Sequence, residues 1–191
     1  TPAVSLEAYV GRMKEGQKAI YYLTAENHAT AKASPHLEVF RARGVEVLLL
    51  SDPVDEWLVT HLTEFDGKPL KSGTAGRLEL PGDEAEKDET PDDKHPLVER
   101  LTKVLDGKAA SVRRSTRLTD SPACLVGDEY GMSANLQRIL RAAGQEVPPD
   151  QRVLEVNLAH PLLQRLDTEQ DEDRFGELAL LLFEQAVLAE G

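Results

Sequence analysis

The sequence has a single cysteine, Cys124, so no disulfide can form within the chain. Nothing therefore requires an oxidising compartment, and we expect a cytoplasmic location. No apolar run approaches the roughly 18 residues of a membrane span, and no basic region followed by an apolar stretch marks a secretory signal. The chain starts at Thr1 without an initiator methionine, from which we expect an excised fragment of a longer protein.

Basic residues are also scarce: 22 lysines and arginines face 34 acidic residues, which gives a net charge of -12 at pH 7. A charge of this sign repels phosphate backbones and anionic lipid, so neither nucleic acid nor a membrane is an expected partner. Hydrophobic residues make up 40% of the 191 residues, enough for a sizeable core in one or two domains.

Two motifs of nucleotide-binding enzymes are missing. Neither of the phosphate-binding loops GxxxxGKS/T and GxGxxG occurs, which argues against an ATP site in this chain. The five histidines lack the close paired spacing of a zinc site, and one cysteine cannot complete such a site. We therefore expect no cofactor and no metal here.

The first half alternates strands and helices. Apolar runs at 19–23 and 45–50 predict strands buried on both faces. Mostly helix-forming residues lie between them, interrupted at Ser34 and Pro35 and ended by Gly44, so the two strands should run parallel.

Helices are also predicted on either side of this unit. Residues 5–15 carry apolar side chains at helical spacing after a serine that can cap the helix. After the second strand, Asp52 and Pro53 suit the N-cap and first position of a helix that contains Trp57, and a turn at 65–68 leads into a short strand.

Periodicity then disappears, and the acid-rich residues 74–93 form the predicted linker between two domains, 1–73 and 94–191. The second domain is predicted to contain helices at 97–105, 132–143 and 171–190, two strands within 110–127 and a strand at 153–156.

Three groups of residues could carry chemistry. Asp52 and Asp55 follow a strand, where a carboxylate-dependent hydrolase could place its acids, but helix capping alone explains both. Cys124 lies in an apolar segment and is more simply a packed thiol than a nucleophile.

The third group is a basic cluster that could grip an acidic peptide or a phosphate. A solvated strand face is the simpler interpretation. Its members are Lys108, Arg113, Arg114 and Arg117.

Several spaced motifs resemble the heat-shock protein 90 chaperone family in its bacterial form. In the first half they are SLEAYVGRMKEGQ at 5–17, IYYLT at 20–24, SPHLE at 34–38, GVEVL at 44–48, DPVDEW at 52–57 and EFDGK at 64–68. In the second half they are RLTDSPA at 117–123, Met132-Ser133 and AAGQ at 142–145. The resemblance covers nearly the whole chain.

The resemblance implies a fold and a domain order. Residues 1–73 would be the end of an α/β middle domain, a three-layer α/β/α unit, and residues 94–191 a mixed α+β C-terminal dimerisation domain without its last helix. It also implies an ATP-driven homodimeric chaperone whose nucleotide pocket, with ATP and Mg, lies outside this chain. The chain itself would then bind unfolded or partly folded client proteins and contribute to homodimerisation.

The family likeness also assigns residues to these two roles. Client contacts are expected from Glu56, Trp57, Thr60, Met132, Leu136, Ile139 and Leu140. Dimer contacts are expected from Phe175, Leu178, Leu182, Phe183 and Val187.

Residue types alone favour a different place for some of these side chains. Trp57 would be buried, because large apolar residues mostly are, and an apolar helix stripe that contains Met132 is usually core. A hydrolase and a passive oligomerisation scaffold thus stay open beside the chaperone. Exposure of Trp57 and Met132 would favour the chaperone.

Overall fold

The computed structural model describes residues 4–82, 95–129, 131–147 and 152–190. Helices and two mixed sheets give the α/β class that the sequence predicts. The elements of the first half are α1 (Leu6–Val10), β1 (Ile20–Thr24), α2 (His28–Ala33), a 3-10 turn (Pro35–Leu37), α3 (Glu38–Arg43), β2 (Leu48–Leu50), α4 (Pro53–His61), β3 (Glu64–Phe65) and β4 (Lys68–Ser72). Those of the second half are α5 (Pro96–Val104), β5 (Ser111–Arg114), β6 (Ala123–Val126), α6 (Ala134–Ala142), β7 (Val153–Val156), α7 (Pro161–Asp167) and α8 (Glu172–Ala189).

The first sheet has the order β2-β1-β4-β3. β1 runs parallel to β2, as the strand-helix-strand pattern predicts, and it also runs parallel to β4. β3 pairs antiparallel with β4. Ser34 ends α2 and begins the 3-10 turn, and Gly44 ends α3 in the left-handed conformation that glycine adopts without strain. The predicted break and stop are both confirmed.

Two predicted elements of the first half are shorter in the structure. The helix expected at 5–15 ends at Val10, because Gly11, a poor helix former, follows as its C-cap. The strand expected at 45–50 covers only Leu48–Leu50, while Val45 is buried against Phe40 ahead of it.

The second sheet has the order β5-β7-β6, with β7 parallel to β5 and antiparallel to β6. The two strands predicted within 110–127 are present, but β7 lies between them. Helix α7, which the sequence analysis missed, begins at Pro161 with His160 as its N-cap. This is the same pairing of an N-cap and a first-turn proline that predicted α4.

Each half has its own apolar core. The clusters of the first half centre on Tyr21 with Phe40 and on Leu23 with Leu37. The larger cluster of the second half contains Phe175 and other buried residues of α5, β5, β6, β7, α7 and α8. All its members lie at or beyond residue 97, so among the described residues no apolar cluster is shared between the halves.

The predicted linker lies largely outside the described residues. Its described part, residues 74–82, packs on the first half: Leu80 is buried with Tyr21 and Phe40, and the Tyr21 hydroxyl donates to the carbonyl of Glu79 at 2.6 Å. The domain boundaries stay a prediction. In the part of the chain that the structure describes, no helix is both long and apolar enough to cross a membrane.

Candidate functional site

Helix α4 presents an exposed apolar face. Val54, Trp57 and Leu58 keep 62%, 53% and 49% of their surface accessible, and their spacing of three and four residues places them side by side. The composition-based expectation of a buried Trp57 is therefore wrong. The sequence analysis missed Val54 and Leu58, although their spacing from Trp57 was a usable signal.

Helix α6 contributes a further apolar residue at its start. Met132 is 41% exposed and immediately precedes Ser133, the N-cap of α6. Ile139 and Leu140 are half-buried, and Leu136 is buried, so the predicted stripe is only partly accessible. We call Val54, Trp57, Leu58 and Met132 together the apolar surface.

Glu56 connects the two helices that carry the apolar surface. Its side chain is buried, and its two oxygens accept hydrogen bonds from Ser133 Oγ and Asn135 Nδ2, both at 2.8 Å. Thr60, the third predicted client contact on α4, is exposed and donates its hydroxyl hydrogen to the Trp57 carbonyl at 2.8 Å. Glu56 thus differs from its helix neighbours, because it faces the second half of the chain.

The two halves also meet around Glu38. Its carboxylate accepts hydrogen bonds from the backbone N–H groups of Thr119 (2.7 Å), Asp120 (2.8 Å) and Ser121 (3.0 Å), and from the Ser121 hydroxyl. Burial acts to raise the pKa of Glu38, but these hydrogen bonds outweigh it, so the pKa lies below its ordinary value. The motifs SPHLE and RLTDSPA, which carried the family likeness, are therefore direct contact partners.

Two arginines of the basic cluster bind within the chain, and the interpretation as a solvated strand face is corrected for them. Arg117 is buried and forms an ion pair with the buried Glu155 at 3.0 Å, while Arg113 contacts the same carboxylate at 2.8 Å. Arg117 also donates to the carbonyls of Gly73 and Gly76, at 3.0 and 2.8 Å. Burial acts to raise the pKa of Glu155, yet the charges and hydrogen bonds of these arginines bring it below its ordinary value.

The other enzyme-like residues have structural roles. Asp52 caps α4 and accepts from Val54 N, while Asp55 Oδ2 accepts from Asp52 N at 2.9 Å, which completes a capping box. Cys124 is fully buried, and burial raises the pKa of its thiol well above the usual value. The interpretation of Cys124 as a packed thiol is confirmed.

Helix α8 is divided between core and surface. Phe175 and Leu182 are buried in the chain's own core, and their expected dimer contacts stay a prediction. Leu178 and Phe183 are half-buried against that core, and Val187 is 38% exposed. Leu181 and Leu188, which the predicted stripe left out, are exposed at 61% and 80%. Helix α8 is therefore apolar on more than one side, and the chain's own core covers only part of its apolar surface.

Comparison with known proteins gives one consistent result. The profile of the family described as Hsp90 protein matches residues 1–191. The chain belongs to the Hsp90 family. It is 56% identical to the chaperone protein HtpG of Magnetococcus marinus and 55% identical to that of Alkalilimnicola ehrlichii, each over the whole chain. The HtpG of Methylococcus capsulatus is 54% identical over 98% of the chain. The chain spans about 30% of the length of these relatives.

Proposed function

We propose that this chain supplies the client-binding and dimer-forming part of an Hsp90-family chaperone. The observation that carries the proposal is the apolar surface, on α4 and at the residue that precedes the N-cap of α6. Trp57 offers a large contact area with few rotatable bonds, and Met132 is flexible enough to fit varied apolar partners. Packing within the chain gives no reason to leave three apolar residues of one short helix at about half exposure or more.

The test is the affinity for a permanently unfolded protein, for which reduced and carboxamidomethylated α-lactalbumin labelled with fluorescein serves. Trp57→Ala should weaken binding about five- to thirty-fold, the range of a typical aromatic anchor. The pair Met132→Ser and Leu140→Ser should also weaken it. Leu188→Ser removes an even more exposed apolar residue from α8, and it should leave client affinity unchanged.

Two results would contradict client binding. One is unchanged affinity in Trp57→Ala, and the other is an equal loss in Leu188→Ser, which would indicate non-specific adhesion to any exposed apolar residue. Melting temperatures must accompany the affinities, because a variant that only lowers the folded fraction would also reduce binding.

Dimerisation is the second part of the proposal, and the exposed residues of α8 support it. Leu181, Val187 and Leu188 form apolar surface that a second copy could cover. Sedimentation velocity across a dilution series should show a dimer that dissociates at low micromolar concentration, and Leu188→Ser should shift it to monomer at every concentration. Observing only monomer for the unaltered chain would remove this part of the proposal.

In the whole protein we propose that ATP with Mg drives the client cycle from a site outside this chain. Calorimetric titration of the chain with ATP and magnesium should therefore show no saturable binding. Micromolar binding of ATP with steady phosphate release would contradict an ATP site outside this chain and would favour an enzyme within it.

A further inference from the structure

Glu56 is a buried acidic side chain on a helix whose other side chains are mostly exposed. It is 2% exposed, whereas Trp57, the next residue, is 53% exposed. A buried carboxylate is costly unless its oxygens are hydrogen-bonded. Both Glu56 oxygens are, and both donors, Ser133 and Asn135, belong to the start of α6.

The start of α6 suits a carboxylate. Ser133 Oγ accepts from Leu136 N at 3.0 Å as a helix cap and donates its hydrogen to Glu56, so one hydroxyl serves both α6 and the contact with α4. The positive end of the α6 dipole adds a favourable field. The Glu56 charge is also felt on the first sheet, where burial first and this carboxylate second raise the pKa of Tyr22.

The bonded residues are next to the exposed ones in sequence. Trp57 directly follows Glu56, and Met132 directly precedes Ser133. We propose that Glu56 is a positioning residue, which holds α4 against the first turn of α6 so that Trp57 and Met132 form one client-binding surface across the two halves. This inference rests on the proposed function, and it replaces a direct client contact by Glu56 with an indirect role.

An exchange of the two partners' side-chain types tests the proposal. Glu56→Gln replaces one acceptor oxygen of residue 56 by an amide donor. Asn135→Asp places a second carboxylate beside that of Glu56, where Asn135 Nδ2 now donates to Glu56 Oε1 at 2.8 Å. Each single variant should weaken client affinity about ten-fold or more, the loss expected when a hydrogen bond to a buried charge is broken. In the double variant, the amide introduced on α4 can donate to the carboxylate introduced on α6 while it accepts from Ser133. Affinity should return to within about three-fold of the unaltered chain, since coupled residues are not additive.

Two controls separate positioning from charge and from stability. Glu64→Gln removes the same charge from an exposed residue and should leave affinity unchanged. Leu154→Ala creates a cavity in the core cluster of the second half, to which Glu56, Ser133 and Asn135 do not belong, and should lower the melting temperature without changing the affinity of the folded protein.

Hydrogen exchange gives a readout that does not require a client. Peptides covering α4 and α6 should exchange faster in both single variants and return to the original rate in the double variant. If the double variant binds as weakly as Glu56→Gln, while Asn135→Asp alone binds normally, Glu56 contacts clients directly and the inference is overturned. Unchanged exchange in all variants overturns it as well.

The affinity measurements also distinguish failure of the proposed client site from failure of the positioning role of Glu56. If Trp57→Ala keeps full affinity, the apolar surface is not the client site, and the inferred role of Glu56 in client binding falls with it. If Trp57→Ala loses affinity but the exchange of partners rescues nothing, the client site stands and only the positioning role is wrong.

Discussion

Replacing Glu38 by Gln should weaken the contact between the two halves of the chain. The carboxylate accepts from three backbone N–H groups and one hydroxyl at residues 119–121. A Gln amide keeps one acceptor oxygen and turns its N–H groups towards other N–H donors, so about half of these hydrogen bonds are lost. At roughly 1.5–3 kcal/mol for each hydrogen bond to a charged group, reduced because water can reach part of the site, the expected loss is about 2–3 kcal/mol.

The loss can be measured as a melting temperature. A chain of this size shifts by roughly 2–4 °C for each kcal/mol, so Glu38→Gln should melt about 4–12 °C lower at pH 7. Glu46→Gln is the matched control, because Glu46 forms an ion pair with Arg12 on the surface. Such exposed pairs contribute about 1 kcal/mol or less, so this variant should melt close to the unaltered chain.

The pH dependence of the difference in melting temperature shows whether the ionised carboxylate of Glu38 causes the loss. Because the folded-state pKa of Glu38 lies below the unfolded value, its contribution is fully present above that unfolded value and disappears as the pH falls through the folded pKa. The gap in melting temperature between the unaltered chain and Glu38→Gln should therefore narrow in acid. A gap that stays constant from pH 7 down to about pH 3, or no gap at pH 7, would refute the assignment of the loss to the ionised carboxylate.

Three further predictions concern the second half. Arg117→Ala leaves Glu155 buried with one cationic partner fewer, so the free energy of unfolding measured in urea should fall by about 3 kcal/mol. An unchanged urea midpoint would contradict this. Cys124 should react with a thiol reagent at pH 8 orders of magnitude more slowly in the folded chain than in urea, because burial raises the pKa of its thiol. Phe175→Ala leaves a cavity in the core and should lower the free energy of unfolding by about 3–5 kcal/mol, whereas Leu188→Ser should change it by about 0.5 kcal/mol or less. Similar losses for both variants would contradict the division of α8 into core and surface.

Local signals predicted the elements of the fold well. The cap and first-turn proline of α4, the break at Ser34 and the stop at Gly44 are properties of neighbouring residues, and all are confirmed. Where a local signal competed with another, prediction failed: Gly11 ended α1 early although Met13 lies beyond it at helical spacing.

Contacts between distant residues could not be predicted in this way. Arg117 and Glu155 are 38 positions apart, and Glu38 and Ser121 are 83 apart. The residues that neighbour a charged side chain in sequence do not indicate whether it will contact water or a buried partner. A solvated face was therefore the simpler prediction for the basic cluster. The family likeness pointed to the right motifs without saying that two of them touch.

The junction between the two halves differs in chemistry from the interior of each half. The apolar clusters remain separate, while the junction contains the hydrogen bonds of Glu38, Glu56 and Arg117. His36 adds a contact of 2.9 Å between its Nε2 and Glu190 Oε1. When a hydrogen bond at the junction opens, water replaces the lost partner, so the net free-energy cost is small. Exposing an apolar core to water costs much more.

The junction also has an apolar part, because Pro35 of the first half lies with Ala123 and Leu182 of the second half around one small cavity. The apolar surface lies on α4 on one side of this junction and at Met132, just before α6, on the other, and Glu56 joins the two sides. Any change in the angle between the halves must then alter the spacing of Trp57 and Met132. The geometry of the proposed client surface therefore depends on the hydrogen bonds of Glu56 as well as on the folding of the two halves that carry it.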